Sequence, residues 1–458
     1  MGKRRRTGGN DDDNSCPSLR IAIIGGGLSG LACALALQSR DCVHISAVTV
    51  YERDERFSDR RQGFGLTLTN NPKGALAELG ILNECVQRNC PSTCHYIFDP
   101  AGNVLGYYGR AFKTSRESPY DSGSVGNLRI PRQELRRMML DKLRTGTVHW
   151  GHRLTECEDV GSHVSLRFSN GHTAETDIVI GADGFNSTIR DIHDKISTPS
   201  DCEKNYIGVC VILGLSHFVH PLIHERGFYV LDGTNRLFVM PFQKATADDP
   251  QLTMWQLSFS GLNEREAQEF KNSVPSALLD YALNKVSSWF ATVSDMIRHT
   301  DVKEVWCTAL YDRNPMVPRK REKDSRIVVL GDACHPMSMF KGQGANQAIG
   351  DGPLLAAWLC RPGLTKQNLF TRLRCFEREM IARTTPKVSA SREAARYLHS
   401  HECLEAEPGI EGLDGPTARR VIASLRETKA GAALGGELDE AIRRVIESIQ
   451  TNRIQLLI

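Results

Sequence analysis

Gly331 and Asp332 follow a short apolar segment (327–330), and a glycine-rich turn with Gly342 and Gly344 precedes the next apolar helical pattern. A strand that ends in Gly-Asp places a carboxylate at its carboxyl end, where ligands of α/β sheets bind. The glycines allow a ligand to approach backbone N–H groups at the positive end of the following helix. This pattern predicts a site for a hydroxyl-rich, electron-accepting ligand, and an ordinary strand–loop–helix connection is the alternative interpretation.

A second glycine motif lies near the start of the chain, between the apolar segment 20–24 and a helical pattern that ends at about Ser39. Its sequence, GGGLSG at positions 25–30, matches the G-x-G-x-x-G pattern of dinucleotide-binding proteins. Glu52 ends the next apolar strand, at the spacing expected of the residue that binds a ribose. An adenine dinucleotide is therefore predicted, with its pyrophosphate at the first helix and its adenosine ribose at Glu52.

Two further positions point to the same ligand. Asp183 follows the apolar strand 177–181 and stands beside Gly184, which repeats the strand–aspartate arrangement of Asp332. Arg132 is in the first turn of a predicted helix, an unfavourable place for a cation because of the helix dipole. Arg132 is either simply exposed there or contacts a phosphate or a cofactor ring.

The elements that position these residues divide the chain into four parts. At 458 residues, two or three domains are expected. We predict a disordered tail (1–18), a discontinuous Rossmann-type α/β domain (19–200 and 321–365), a mixed β-sheet domain that covers a substrate (201–320), and a C-terminal helical region (366–458). Within the helical region, the patterns 367–382 and 388–398 predict two amphipathic helices, followed by a helical hairpin on the outside.

Composition excludes several classes of function. The net charge of +3 gives no basic field for nucleic acid, and no apolar run reaches the roughly eighteen residues of a membrane helix. The fourteen cysteines lack the paired spacing of metal ligands, so no metal site is predicted. Without a secretory signal, free thiols indicate a reducing, cytoplasmic compartment. The sequence does not define an oligomeric state.

Taken together, the motifs resemble those of the class A FAD-dependent flavoprotein monooxygenases, which share the fold of p-hydroxybenzoate hydroxylase. Kynurenine monooxygenase and the tetracycline-inactivating monooxygenases belong to the same family. The matching segments are GGGLSG at 25–30, DIVIGADGFNSTIR at 177–190 and LGDACHPMSMFKGQGANQAI at 330–349. The resemblance implies an α/β fold with a Rossmann-type FAD-binding domain, an inserted mixed-sheet substrate domain and C-terminal helices.

The resemblance also assigns residues to the cofactor. FAD is expected to contact a set of residues drawn from all the motifs: Gly25, Gly27, Leu28, Ser29, Gly30, Glu52, Arg53, Arg132, Asp183, Asp332, Gly342, Gly344, Ala345 and Asn346. Asp183 in the family is tied to NAD(P)H as well as FAD. No second dinucleotide fingerprint is present, which fits NAD(P)H as a transient co-substrate.

The activity implied by the resemblance is hydroxylation of a small organic, aromatic substrate. NAD(P)H reduces the flavin, O₂ adds at the flavin C4a carbon, and the hydroperoxide transfers one oxygen atom while the protein excludes water. On the substrate side, the candidates are Phe228, Phe238, Met240 and Trp255, for which positions in the apolar core are the alternative.

Met339 departs from the family, which usually has a proline at this position near the reactive edge of the flavin, next to Phe340. Proline fixes φ and methionine does not, so either the loop has a different shape or Met339 fits the same backbone. A changed loop would favour the alternative of a flavin-dependent reductase or dehydrogenase without oxygen insertion. A third alternative is a flavin-binding regulatory protein that uses the C-terminal hairpin as an interaction surface.

Overall fold

The computed structural model describes residues 18–40, 42–59, 63–92, 94–109, 125–194, 204–246, 250–314, 325–407, 409–410, 413–427 and 435–455. The predicted disordered tail therefore lies outside the described residues, except for Ser18. The expected domain boundaries near 200 and 320 also fall on residues outside the described part.

The secondary structure alternates between strands and helices in the first part of the chain and is richest in strands in the middle. The strands, in chain order, are β1 (Leu19–Ile24), β2 (Ile45–Tyr51), β3 (Gly65–Asn70), β4 (Cys94–Phe98), β5 (Val104–Gly109), β6 (Val125–Pro131), β7 (Val148–His149), β8 (Leu154–Asp159), β9 (Val164–Phe168), β10 (Thr173–Thr176), β11 (Ile178–Gly181), β12 (Asn205–Ser216), β13 (Arg226–Leu231), β14 (Asn235–Gln243), β15 (Leu252–Ser260), β16 (Thr300–Asp312), β17 (Ile327–Val329) and β18 (Gly409–Ile410).

Helices follow the first strand and dominate the end of the chain. In chain order they are α1 (Leu28–Ser39), α2 (Ala75–Glu78), α3 (Leu82–Arg88), α4 (Arg132–Lys142), α5 (Thr188–Asp194), α6 (Glu264–Lys271), α7 (Pro275–Lys285), α8 (Ala291–Arg298), α9 (Gly344–Leu359), α10 (Leu369–Leu398), α11 (Glu402–Glu405), α12 (Gly415–Glu427) and α13 (Gly435–Gln455).

A five-stranded parallel sheet in the order β17-β11-β1-β2-β7 forms the centre of the Rossmann-type domain. β11 and β17 consist of apolar residues and glycine and are buried throughout, as expected for parallel strands covered on both faces. β1, β11 and β17 are neighbours, and each is followed by one of the three predicted motifs. Their carboxyl ends therefore place the motifs side by side at one edge of the sheet.

The second large sheet has eight strands in the order β16-β12-β15-β14-β13-β4-β5-β18. The predicted 201–320 segment supplies five of these strands, and β4, β5 and β18 come from outside it. β4 pairs in parallel with β13, and β18 pairs in parallel with β5. The sequence prediction missed this because a local alternating pattern does not identify a sheet partner that lies far along the chain.

The prediction of two helices at 367–382 and 388–398 was wrong, because α10 continues through Pro386. Proline normally breaks a helix by removing an N–H donor and colliding with a preceding carbonyl. Just before the proline, the Thr384 and Thr385 hydroxyls donate to the carbonyls of Met380 and Ile381. α10 also buries side chains on both sides of the proline, and this tertiary packing outweighs the local penalty.

The C-terminal helices α12 and α13 pack on the eight-stranded sheet near β4 and β5. Apolar residues of both helices, including Val421 and Ile442, belong to the same buried cluster as Tyr96 of β4 and Tyr107 of β5. Arg226 at the start of β13 pairs with Asp439 of α13, with its Nη2 2.6 Å from the carboxylate. The predicted outer hairpin thus contributes to the core of the second domain.

α1 and α9 cross with their backbones in contact at Gly352. A Cβ atom at Gly352 would lie 2.6 Å from the Cys33 nitrogen and 2.8 Å from the Ala32 oxygen. The helices that follow the first and third motifs are therefore held together by a contact that only glycine permits.

Gly352→Ala should destabilise the fold by about 1–2 kcal/mol. Alanine gains roughly 1 kcal/mol of helix propensity, but overpacking against backbone atoms costs about 1–3 kcal/mol or more. Urea titration of the purified protein gives the free energy of unfolding. Gly350→Ala in the same helix would place its Cβ 2.9 Å from the end of the Arg383 side chain rather than against backbone atoms, so it should destabilise the fold less. A Gly352→Ala variant as stable as the unmodified protein would contradict the backbone contact.

Candidate functional site

A cavity of about 820 Å³ lies between the parallel sheet and the eight-stranded sheet. The predicted residues that line it come from all the motifs: Gly25, Gly27, Leu28, Ser29, Glu52, Arg53, Arg132, Asp183, Asp332, Met339, Phe340, Gly342, Gly344 and Ala345. Two predicted residues, Gly30 and Asn346, do not line the cavity. Their contacts instead position the backbone segments that form its wall. The fold thus brings together residues that are separated by most of the chain.

The first glycine motif shapes the turn between β1 and α1. Gly25 has φ +108°, and a Cβ there would lie 2.5 Å from the Ala182 carbonyl oxygen. At Gly30, a Cβ would lie 1.9 Å from the Gly25 oxygen, so this glycine allows α1 to pack on the turn. Gly27 precedes α1, has open space beside it, and provides no side-chain cap. The first N–H groups of α1 are therefore open to an anion.

Glu52 is buried at the end of β2 and interacts with the glycine turn. Its carboxylate accepts hydrogen bonds from the N–H groups of Gly26, at 2.6 Å, and Asp54, at 3.1 Å. The Glu52 carboxylate also lines the cavity, and carboxylate oxygens are suitable acceptors for ribose hydroxyls. Neighbouring Arg53 is half exposed and lies 3.9 Å from Asp54.

Arg136 of α4 contributes to this corner and was not predicted. The buried Arg136 donates from Nε to the Gly26 carbonyl at 2.7 Å, and its Nη2 lies 3.8 Å from Glu52. The guanidinium also packs against the rings of Phe57 and Trp150. A signal was present in the sequence, because Arg136 stands among the apolar residues of the α4 helical pattern.

Asp183 holds the middle motif in place by capping α5. Its carboxylate accepts hydrogen bonds from the Ser187 hydroxyl at 2.5 Å and the Thr188 N–H at 2.7 Å. Burial raises the pKa of Asp183, and these hydrogen bonds oppose the rise. From α5, the buried Arg190 donates to the carbonyls of Ala333 and Cys334. The second and third motifs are thereby joined next to Asp332.

Asp332 lies in a 3-10 turn (Gly331–Ala333), and its side chain is exposed to the cavity. Desolvation by the surrounding protein raises the pKa of the Asp332 carboxyl, and interactions with His335 and Arg132 oppose the rise. The Arg132 guanidinium favours the ionised form, which is the form that accepts hydrogen bonds from ligand hydroxyls.

Asp351 of α9 lies fully buried beneath this turn. Its carboxylate accepts hydrogen bonds from the Gly331 N–H at 2.8 Å and from His335 Nε2 at 2.7 Å, and it also pairs with Arg383 of α10. Sequence reasoning missed Asp351, although an aspartate inside an apolar helical pattern was a visible signal. The bonds fix the end of β17 relative to α9 and α10.

The loop before α9 forms a third wall of the cavity. A 3-10 turn (Met339–Lys341) ends at Gly342, whose φ of +60° is left-handed, and α9 then begins at Gly344 without a side-chain cap. Asn346 fixes this helix start to β3, since it accepts from the Thr69 N–H and donates to the Thr67 carbonyl. The open N–H groups of α9 therefore point toward the cavity with the positive end of the helix dipole.

Met339 keeps this loop ordered without a proline. The preceding Ser338 donates its hydroxyl to the Ser391 carbonyl of α10 at 2.7 Å. Met339 is partly buried and packs with Phe340 against a small apolar cluster that includes Leu213. The loop geometry is thus supported from both sides by tertiary contacts.

The opposite end of the cavity is an aromatic wall from the eight-stranded sheet. His95 stacks between Tyr108 and Phe238, with ring centroids 4.8 and 5.9 Å away. The hydroxyls of Tyr108 and Tyr229 are hydrogen-bonded at 3.1 Å. Burial is the main reason that the pKa of His95 is lowered to about 3, so its imidazole is neutral at physiological pH.

Among the four substrate-side candidates, the structure separates cavity residues from core residues. Phe238 and Met240 line the cavity, whereas Phe228 and Trp255 are fully buried in the sheet core. Alternation along β14 explains why Phe238 and Met240 lie on one face, since side chains two residues apart point the same way.

The cavity fits FAD on the evidence of its own residues. The uncapped start of α1 suits a pyrophosphate, the carboxylates of Glu52 and Asp332 suit hydroxyl groups, and the uncapped start of α9 suits a ring that accumulates negative charge. Together these features define the class of protein as a flavin-dependent oxidoreductase.

Comparisons with known proteins agree with this class. The family described as FAD binding domain matches residues 18–362. The chain is 30% identical over 365 residues to 6-hydroxynicotinate 3-monooxygenase from Pseudomonas fluorescens. The aligned region covers 77% of this chain and 85% of that protein. It is 27% identical over 404 residues to the monooxygenase cfoF from Aspergillus candidus, with 83% and 91% covered.

A solved structure shows the same fold. The crystal structure of a Klebsiella pneumoniae HpxO variant complexed with FAD matches with a TM-score of 0.70 and 21% identity, over 91% of this chain and all of that chain. The chain belongs to the FAD binding domain family and is an FAD-dependent monooxygenase of class A. The family and the fold class predicted from the motifs are confirmed.

Two further observations concern the described residues only. None of their helices is both long and apolar enough to cross a lipid bilayer. No group of three or more His, Cys, Asp or Glu side chains among them is arranged to hold a metal ion.

Asp332→Ala should lower the affinity for FAD by about 1.5–3 kcal/mol, because the carboxylate would no longer accept hydrogen bonds from cofactor hydroxyls. Titration of the FAD-free protein with FAD, followed by flavin fluorescence, measures the change. Asp301→Ala removes an exposed aspartate that pairs with Lys303 and is the control with unchanged affinity. If Asp332→Ala bound FAD as well as the unmodified protein, the assignment of this carboxylate would be wrong.

Acidification should destabilise the protein partly through His95. Its folded pKa of about 3 lies below the ordinary value of 6.5, so the unfolded chain binds more protons between these values. The stability that the neutral imidazole contributes is present above pH 6.5 and is lost as the pH falls toward 3. The free energy of unfolding should fall between pH 7 and pH 4 in both proteins. In the His95→Phe variant this fall should be about 2–3 kcal/mol smaller than in the unmodified protein. Equal losses in urea titrations would contradict a neutral, buried His95.

Proposed function

We propose that this protein uses NAD(P)H and O₂ to hydroxylate a small aromatic substrate that binds against the aromatic wall. The main support is one continuous cavity, with the three glycine and aspartate motifs at one end and stacked aromatic side chains at the other. The start of α9 lies between these ends. A flavin ring placed at α9 would therefore face the substrate directly.

The adenosine half of FAD is assigned to the first motif. N–H groups of Gly27, Leu28 and Ser29 at the start of α1 bind the pyrophosphate, and the turn that Gly25 and Gly30 permit brings it close to the backbone. The adenosine ribose is assigned to Glu52, whose carboxylate is already oriented by the Gly26 N–H, with Arg53 at the solvent edge.

The flavin half is assigned to the second and third motifs. Asp332 accepts hydrogen bonds from the ribityl chain and the pyrophosphate region, and Arg132 neutralises charge beside it. The backbone around Gly342, Gly344 and Ala345, which Asn346 fixes to β3, would meet the pyrimidine edge of the ring. Asp183, which caps α5 next to this wall, is assigned to both FAD and NAD(P)H.

When bound, FAD supplies the redox chemistry that takes electrons from NAD(P)H and passes one oxygen atom of O₂ to the substrate. The chain's own residues position the reactants and control the surroundings. N–H groups at the start of α9 stabilise negative charge on the ring. Met339 and Phe340 line the cavity and pack against a small apolar cluster, so they are suited to exclude water during oxygen transfer.

The substrate end is built to orient a ring. The faces of Phe238 and Tyr229 offer stacking surfaces, and the Tyr108–Tyr229 hydroxyl pair offers a hydrogen-bond partner for a ring substituent. The name of the Pseudomonas relative specifies a hydroxynicotinate, a heteroaromatic compound, which supports an aromatic substrate here. The loop that carries Met339 is held as an ordered turn by Ser338, so it keeps its shape without a proline.

Turnover with isotopically labelled oxygen tests the proposal. The FAD-loaded protein is incubated with NADH or NADPH, ¹⁸O₂, and a panel of phenols, indoles, aromatic acids and polyketides. One or more substrates should accelerate NAD(P)H oxidation and give a product with a single ¹⁸O atom, detected by mass spectrometry. FAD-loaded protein that oxidises NAD(P)H without labelling any product would support the reductase alternative instead. A protein that does not bind FAD would overturn the cofactor assignment.

A further inference from the structure

Two buried arginines line the substrate end of the cavity, Arg129 from β6 and Arg236 from β14. Their exposed fractions are 6% and 3%. Nε and Nη1 of each guanidinium have no hydrogen-bond acceptor in the structure. Within the described part of the chain, no carboxylate forms an ion pair with either group. The cavity thus holds two positive charges for which the described residues supply no counterion.

Such an arrangement is unfavourable in the empty cavity. A buried charge costs several kcal/mol unless it is paired and hydrogen-bonded. Burial lowers the pKa of both arginines, and the groups that oppose this shift are mainly the phenolic hydroxyls of Tyr108 and Tyr229. Neutral phenols do not compensate a guanidinium charge, so the natural partner is an anion that enters with the ligand.

The surroundings of the arginines specify a flat anion. The Arg236 guanidinium lies 4.9 Å from the ring centre of Tyr229, 5.2 Å from Phe238 and 4.9 Å from Phe340. These ring contacts hold the guanidinium in place, and its Nε and Nη1 donors are left for a ligand. Both arginines act electrostatically on the Tyr108 hydroxyl, which places them around one region of the wall.

We propose that the substrate is an aromatic acid, whose carboxylate accepts hydrogen bonds from Arg129 and Arg236 while its ring stacks on the aromatic wall. A guanidinium matches a carboxylate through two parallel N–H donors, and a desolvated pair of this kind discriminates strongly against uncharged analogues. This inference rests on the proposed function, since it names the substrate class of the same site.

The two arginines and the residues assigned to the cofactor lie at different ends of the cavity. The acidic groups Glu52, Asp183 and Asp332 all lie at the motif end, whereas Arg129 and Arg236 lie with the aromatic wall. A carboxylate at the two arginines therefore orients the far side of the ring toward the start of α9. The anion thus determines which ring carbon faces the flavin.

Matched acid–amide pairs test the inference by binding alone. The FAD-loaded protein is titrated with benzoate and benzamide, salicylate and salicylamide, and 6-hydroxynicotinate and 6-hydroxynicotinamide, and the flavin absorbance change gives each Kd. In at least one pair, the acid should bind ten-fold or more tightly than its amide. Absence of this preference in every pair would overturn the inference, even if FAD binds and neutral phenols are hydroxylated.

Variants locate the effect. Arg129→Gln and Arg236→Gln should each reduce the acid preference about ten-fold or more, with amide Kd and FAD content unchanged. Arg298→Gln, an exposed arginine of α8, is the control that keeps the preference. Arg236→Lys keeps the charge but loses the paired donors and should give an intermediate preference. Weakening of NAD(P)H binding instead, measured as a raised KM with an unchanged acid Kd, would assign the arginines to the dinucleotide phosphates and overturn the inference.

Discussion

The close contact between α1 and α9 is the constraint on which the site depends. At Gly352 the two helices approach to the distance of backbone contact, and at Gly331 a side chain would collide with Ser29 of α1. These contacts place the starts of both helices in one cavity. The starts of α1 and α9, which lie far apart in the chain, are therefore available to one extended ligand.

Buried hydrogen bonds then fix the motifs to one another. Asp351 links the turn after β17 to α9 and α10, and Arg190 links α5 to the same turn. The side chains of Asp351 and Arg190 are thus used within the protein. The carboxylate of Asp332, in the same turn, lines the cavity. Contacts with α5, α9 and α10 therefore fix the position of the turn that carries Asp332. The same reasoning explains why Met339 can replace a proline, since Ser338 and Gly342 hold the turn at its two ends.

Charge is unevenly distributed along the cavity. Acidic side chains lie at the motif end, to which the hydroxyl-rich part of FAD is assigned, and two arginines without a counterion among the described residues lie among aromatic rings at the other end. A neutral His95 between Tyr108 and Phe238 adds a stacking surface without adding charge. This distribution is consistent with the proposed order, with the cofactor at the motif end and an anionic ring at the aromatic wall.

The sequence alone determined the three motifs, an adenine dinucleotide site and the Rossmann-type fold, because glycine turns and strand-end carboxylates are set by local backbone geometry and spacing. The resemblance of these motifs to a known family then indicated FAD. It did not determine that β4, β5 and β18 complete the eight-stranded sheet, or that α10 continues through Pro386. It also gave no sign that Arg129 and Arg236 lie at one wall. Only the tertiary structure decided these features, because strand pairing, burial and charge compensation depend on residues that are distant in the chain and meet only on folding.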